Sequence, residues 1–598
     1  MIKLIKFLKI ICLLALVGIY AKANNVGDMV GYHQNYSVQS FFLPSFVLNG
    51  IYYQIQSEED MTASVCEPVS DNKYHFYSGV VNIPSTITYN DKKYTITAID
   101  PLAFRGQGDL TYVVIPPTVK TIGYKAFMYC AQLKTVAFSS TGELETIDYQ
   151  AFDGCKNITS INIPKSVKTI GKHAFDGCTL LKSIKGGESV ETIGGHAFQE
   201  CTSLTEVVIP SSVKSVGEGI FQNCSALTKV SLGASLEILG GDAFLQCTSL
   251  KYVDMPNTLR EIGYEAFRYC LSLKNIIIPN SVTTIGYGAF RYCTSLESVT
   301  LSNSLKEISA WSFEQTAIKE INIPNTVTDI LAYAFQDCSF LEKITFAPGC
   351  GLRSISDNAF YGCKNLTNVK IPEPVSSLGG AAFANCDNLS EITLPRTLVT
   401  ITNKAFARNP KLTKVYNLST TPQDILGRQI FEDCSKIEVH VYKGLYDDFY
   451  LKPGWGDDPK ITIIDDIEAA KVSSIVFNNA PYYCRIGQTN KASVTIYPEN
   501  AAIKELSWSS SDESILYIDE FSGEFIGLSE GSVQITAVAT DGSGVKNTST
   551  VYVVTETGIS NVKEDEKSKL QIFDLQGRRL KKLQHGIIIV NGKKVIIK

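Results

Sequence analysis

The sequence predicts a mainly β protein with short turns or helices: a long solenoid, then a β-sandwich, then a short β tail. Three observations carry this reading. The pattern A-F-x-x-C recurs fifteen times in register. Each recurrence follows a pair of short, alternating apolar segments, most often separated by a proline. Beyond residue 468 the pattern stops, and strand-like runs at turn spacing replace it.

The repeat phenylalanines are Phe104, Phe127, Phe152, Phe175, Phe198, Phe221, Phe244, Phe267, Phe290, Phe313, Phe335, Phe360, Phe383, Phe406 and Phe431, mostly 23 residues apart. In one full unit, Val207 and Ile209 alternate with Glu206 and Val208, which is the period of a strand with one face inward. Pro210 ends that strand, because proline has no N–H for a ladder. Val213 and Val216 begin a second, shorter extended segment, and Gly217 is expected to permit a sharp turn. Phe221 fills the centre of the coil. No unit this small buries its own apolar face, so the copies must stack into one continuous core. At ~4.8 Å per stacked strand the array is about 70 Å long.

The unit LxxVxIPxSVxxIGxxAFxxC resembles the leucine-rich repeat subtype of BspA-like surface proteins, also seen in treponemal repeat proteins. The resemblance spans residues 99–435. It implies a curved, β-lined solenoid with a binding function and no catalysis. It also implies protein partners such as host matrix proteins (fibronectin or fibrinogen) or other microbial surfaces. The longer L-x-x-V-x-I strand is expected to line the concave face.

Twelve cysteines share one repeat slot: Cys130, Cys155, Cys178, Cys201, Cys224, Cys247, Cys270, Cys293, Cys338, Cys363, Cys386 and Cys434. Other copies place Gln107, Thr316 and Asn409 there, which share hydrogen bonding with a thiol but cannot form a disulfide. Side chains in one ladder point in parallel, unlike the geometry of a bridge. The expected arrangement is a buried, reduced thiol ladder that helps satisfy backbone groups.

The N-terminus carries Lys3, Lys6 and Lys9, an apolar run over residues 10–20 and the pattern Ala21-Lys22-Ala23. This reads as a secretory signal peptide over residues 1–23, hence a secreted or outer-surface location. No other apolar stretch reaches the roughly 18 residues of a spanning helix. Residues 24–98 are expected to cap the solenoid, and residues 436–467 to form a C-terminal cap and linker. Residues 468–556 resemble a bacterial Ig-like domain of group 2, on the run Trp508-Ser-Ser-Ser-Asp-Glu513 and the glycine-marked strands after it. Within them, strands are expected at 472–477, 493–497, 515–518, 531–539 and 550–554. Residues 557–598 begin with a charged linker and end in apolar runs around Asn591-Gly592, a hairpin signal. This tail is similar to C-terminal sorting segments of exported Bacteroidota proteins.

A net charge of -5 and a pI near 5.9 give no electrostatic footprint for nucleic acid. No nucleophile elbow, P-loop, metalloprotease or dinucleotide motif appears, so neither enzyme activity nor a cofactor is expected. His173 and His196 fill one slot in adjacent coils, but that slot varies among copies, which favours surface histidines over metal ligands.

Comparing copies column by column locates a candidate binding patch. Positions two to three before each Phe, and one to two after it, vary freely and are expected to face solvent. Two adjacent copies place Tyr264, Arg268 and Tyr269, then Tyr287, Arg291 and Tyr292, at these positions; the next two add Trp311 and Tyr333 at the same edge. Tyr, Arg and Trp are the composition of protein-interface hot spots, and the rings would also suit stacking on a glycan. Stacking for stability alone would use the same residues. The outward strand positions, among them Ser160, Asn162, Asn275, Thr300, Asn322, Thr345, Lys370 and Thr393, predict a flat polar sheet face.

Overall fold

The computed structural model describes residues 45–68, 76–427, 429–468, 470–498, 501 and 503–554, and the backbone of the tail strands Ile572–Phe573, Gly586–Val590 and Lys593–Ile597. The segment read as a signal peptide lies outside the described residues. The chain forms two compact units. Residues 1–416, 422–439 and 451–462 make the first; 417–421, 440–450 and 463–598 make the second, so the segment expected as cap and linker divides between them.

The first unit is a β-solenoid. Each coil supplies one longer and one shorter strand, as in Glu206–Val208 and Ser215–Val216. Both kinds pair in parallel with the next coil, one repeat later: Val207 faces Val230, which faces Val253. Likewise Ile147 faces Ile170, which faces Ile193. Parallel pairing begins earlier than the repeat pattern. Ser78–Asn82 pairs with Asp109–Ile115, and Lys92–Ile99 pairs with Thr121–Ile122, so a further coil stands inside the segment expected to be a cap.

Gly217 does not have the left-handed φ of a turn glycine. A Cβ there would stand 2.3 Å from the Gly195 nitrogen, so what it permits is close approach of coils.

The fifteen repeat phenylalanines stack in one column through the core. Fourteen successive ring-to-ring steps measure 4.7–6.2 Å, with planes within 19° of parallel. Burial makes each ring a large apolar contribution, and offset stacking fixes its orientation. Aromatic residues close both ends of the column. Tyr77 lies 4.6 Å from Phe104, and fully buried Trp455 meets Phe431 edge-on at 6.4 Å.

A second column runs beside it. All twelve ladder cysteines are unpaired, and each Sγ lies 2.9–3.4 Å from the carbonyl oxygen of the phenylalanine one coil earlier. Asn409 makes the same bond, its Nδ2 donating to Phe383 O at 2.8 Å. Thr316 instead donates to Phe313 O, and Gln107 accepts from Tyr77 N. What the slot's occupants share is a hydrogen-bonding group. Burial pushes the thiols of Cys293, Cys338 and Cys386 up, each to about 12.

The second unit contains nine strands among the described residues from 474 to 554: Ser474–Phe477, Tyr482–Arg485, Thr489–Lys491, Val494–Tyr497, Leu506–Ser510, Leu516–Ile518, Glu524–Gly527, Gly531–Ala539 and Lys546–Val554. Their sheets enclose a core of Leu506, Trp508, Leu516, Phe525, Ile535 and Val551 with its neighbours. Four of these strands lie outside the five runs expected from sequence. In the tail, Gly586–Val590 and Lys593–Ile597 pair antiparallel, with Val590 opposite Lys593, which is the hairpin that Asn591-Gly592 predicts.

Candidate protein-binding surface

The turn around each repeat Phe is also a backbone ladder. The amides two before the Phe, at the Phe and two after it donate to the next coil: Glu265 N to Tyr287 O (2.9 Å), Phe267 N to Ala289 O (2.8 Å), Tyr269 N to Arg291 O (3.1 Å). Such spacing requires left-handed backbone at the two outer positions. Tyr269, Tyr292, Trp311 and Tyr333 have φ of 60°, 61°, 55° and 63°. For a bulky side chain that conformation costs on the order of 1 kcal/mol or more. All thirty such positions are left-handed; twelve carry Gly, Asn or Asp, which tolerate it, and the rest carry other residues, among them Leu102, Lys125 and Tyr129.

The eight candidate residues form two stacks rather than one edge. Tyr264 and Tyr287, three positions before their Phe, stack at 5.6 Å. Gly241 makes room for Tyr264: a Cβ there would fall 2.4 Å from the ring. The Tyr264 hydroxyl is hydrogen bonded to the Glu218 carboxylate, which with burial pushes the phenol well up.

The second stack joins four coils. Tyr269 stacks on Tyr292 at 4.8 Å, and Trp311 on Tyr333 at 5.0 Å. Arg268 lies over Tyr269 (4.9 Å) and Tyr292 (5.6 Å); Arg291 lies over Tyr292 (4.8 Å) and Trp311 (6.0 Å). Cation–π attraction of this kind strengthens as the pair is desolvated. Both guanidinium charges are answered locally. Arg268 pairs with Glu265 at 2.7 Å, and the Arg291 Nε donates to the buried Glu314 carboxylate while its Nη2 donates to the Tyr292 hydroxyl at 3.1 Å. Trp311 and Tyr333 thus stand two positions before their Phe, and Arg291 connects them to the tyrosines. The expectation of free solvent exposure is also corrected. Seven of the eight are half-buried, because each ring covers its neighbour, and only Tyr287 is 51% exposed.

His173 and His196 stack at 4.8 Å with planes 10° apart, and His173 Nδ1 lies 2.9 Å from Asp176 Oδ2. Ring nitrogens in parallel planes do not converge on one point. No group of three or more His, Cys, Asp or Glu able to hold a metal occurs among the described residues.

Sequence reasoning missed two features here. Glu314 stands in the column that holds Arg268 and Arg291 in the preceding copies; that sign change signalled the pair. On the strand face, the named polar positions are joined by Val208, Tyr252 and Ile277, which are among the most exposed apolar side chains of the array. The face is therefore not uniformly polar, and the same column comparison shows the three exceptions.

A family model described as the BspA type leucine rich repeat region matches residues 97–228, 214–342 and 311–438 in six copies. The chain belongs to the BspA-type leucine-rich repeat family. A bacterial Ig-like domain of group 2 matches residues 472–550 of this BspA-type chain. Among solved structures, a leucine-rich repeat protein from Bacteroides ovatus is 29% identical, with a TM-score of 0.53, covering 70% of this chain and 99% of that one. A leucine rich cell surface protein from Faecalibacterium prausnitzii is 24% identical (TM-score 0.34; 58% and 94% covered). The pneumococcal vaccine antigen PcpA is 19% identical (TM-score 0.38; 72% and 99% covered). An uncharacterized protein of Clostridium acetobutylicum is 43% identical over 72 residues, which are 12% of this chain and 18% of that protein. A second from the same organism is 30% identical over 89 residues, 15% of this chain and 9% of that protein. BspA-type repeats and Ig-like domains are binding modules, typically without enzymatic activity.

Proposed function

We propose that this protein is exported and displays its repeat array at the cell surface to bind a protein partner, with the Ig-like module as spacer. The observation that carries the reading is the arginine–aromatic stack across coils 267–335. It leaves ring edges and hydroxyls for contact, and in the neighbouring tyrosine stack Tyr287 is half exposed. Hydroxyls and arginines ringed by apolar surface suit a protein interface. A sugar would need open ring faces, and mutual stacking has used most of them.

Host matrix proteins and other microbial surfaces are the partners to test first. Immobilised fibronectin and fibrinogen, beside a glycan array, are probed with the full chain and with a chain lacking the array. Saturable binding to a protein, lost on substituting Tyr264, Arg268, Tyr287 and Arg291, supports the assignment. Unchanged binding after those substitutions removes the patch from it. The mutual stacking also favours a second reading, a purely structural ridge, which predicts abundant protein in the envelope and no saturable ligand.

A further inference from the structure

A different face of the array, that of the longer strands, carries exposed apolar side chains. Val208, Ile277 and Tyr252 are 75, 72 and 67% exposed, the three most exposed large apolar side chains between residues 99 and 435. All three point outward from the longer strands Glu206–Val208, Tyr252–Asp254 and Asn275–Ile277. Single exposed apolar residues are ordinary. Val208 and Ile277 stand three coils apart in one column at ~4.8 Å per coil, with Ser231 and Asp254 between them, and Tyr252 stands in the neighbouring outward column on the Asp254 strand, so three exposed apolar side chains surround one carboxylate.

The same coils contain a shallow depression of about 490 Å3. Its origin is visible in the sequence. The coil before has Ile209-Pro210-Ser211, whereas this one has Leu232-Gly233-Ala234. The proline ring and the serine hydroxyl are missing, and no side chain can replace the ring: a Cβ on Gly233 would lie 2.4 Å from the Pro210 carbonyl oxygen. The buried side chains of Ile209 and Leu232 form the floor, and Val208 and Pro256 form the walls.

Asp254 is the only charged residue that lines the depression. It accepts a hydrogen bond from Ser231 Oγ at 3.3 Å and has no ion pair among the described residues. An apolar floor beside one uncompensated carboxylate matches a lysine or arginine side chain, with its aliphatic stem and cationic head. The exposed Val208, Tyr252 and Ile277 match apolar residues on either side of it.

We propose that the strand face over residues 206–277 binds an extended segment of a protein partner in which a lysine or arginine is flanked by large apolar side chains. The stem of the basic residue lies over Leu232 and Gly233, its head meets Asp254, and its neighbours cover the three exposed apolar residues. Acidic segments are repelled by Asp254. This site is separate from the arginine–aromatic stack, so either can fail alone.

The test uses random dodecapeptides displayed on phage and selected against the full chain. Enriched sequences are then synthesised and titrated by fluorescence anisotropy at low and high salt. Expected are peptides with apolar–Lys/Arg–apolar cores whose binding weakens as salt rises. Asp254→Lys, and Val208→Ser with Ile277→Ser, should each lower affinity at least about tenfold. Val399→Ser, at an open surface position outside both sites (57% exposed), should change it less than about twofold. All of these positions are at the surface, and circular dichroism melts confirm that the variants fold. Enrichment of peptides without a cation overturns the proposal. So does binding indifferent to Asp254→Lys, or the absence of any enriched peptide.

Discussion

Phe267→Ala removes one ring from the middle of the aromatic column. Phe267 is fully buried, with centroids 5.3 Å from Phe244 and 5.2 Å from Phe290. Truncating a buried Phe costs about 3–5 kcal/mol through lost burial and the cavity left behind. In an array where each coil touches only its neighbours, that loss falls on two interfaces and is not shared along the solenoid. Hydrogen exchange reads local opening directly. The amides of Phe244 and Phe267, which donate to Ala266 O and Ala289 O, should lose between about 10² and 4 × 10³ in protection, since ~1.4 kcal/mol is a factor of ten. The Phe127 amide, which donates to Ala151 O far along the column, should be unchanged. Phe267→Leu keeps most of the volume and forfeits two stacking contacts, each ~0.5–1.5 kcal/mol, so its local loss should be smaller, between about 5-fold and 140-fold. A loss spread evenly along the array, or one below about tenfold for the alanine variant, would refute the reasoning.

Alkylation of the native, unreduced chain should reach chiefly half-buried Cys350 and Cys434, while unfolding without reductant should expose all the described thiols. Few labelled cysteines after unfolding would show bridges instead of a ladder. Arg291→Met and Glu314→Gln should be non-additive by about 2 kcal/mol in a double-mutant thermal cycle, because either change alone strands a partly buried charge. Additivity within about 0.5 kcal/mol would break the link between the tyrosines and Trp311. Burial, with Asp176 nearby, pushes the Asp153 carboxyl up to about 6. A raised folded-state value means a contribution present below the unfolded carboxyl range, near 4, and lost as pH rises through about 6. Asp153→Asn should therefore stabilise the chain at pH 7, by about 1 kcal/mol after allowance for its partial exposure, and flatten urea midpoints between pH 4 and 6. Equal midpoints for both chains across that range would contradict the assignment.

The candidate surface was only partly legible. Columns of the repeat identified Tyr264, Arg268 and their six companions as unusual, because fifteen copies serve as controls for one another. They did not reveal that Tyr264 and Tyr287 belong to one stack and the rest to another. That division follows from alternating left- and right-handed backbone around each Phe, which aims neighbouring side chains in different directions. Nor did they reveal Glu314 under Arg291, an ion pair between coils 23 residues apart.

By itself, the sequence determined that this chain is a solenoid with an Ig-like module, that phenylalanine fills its centre, and that its ladder cysteines share a slot with Thr, Asn and Gln. Those features repeat with a period, and periodicity survives in one dimension. Only the tertiary structure decided what each slot touches. Stacking at fixed register aims each thiol at the phenylalanine carbonyl of the preceding coil and hides the aromatic faces of the patch against one another. It also turns the small residues Gly233 and Ala234 into a notch beside Asp254. Contacts between coils depend on the backbone path of two repeats at once, and no single column of the sequence contains that.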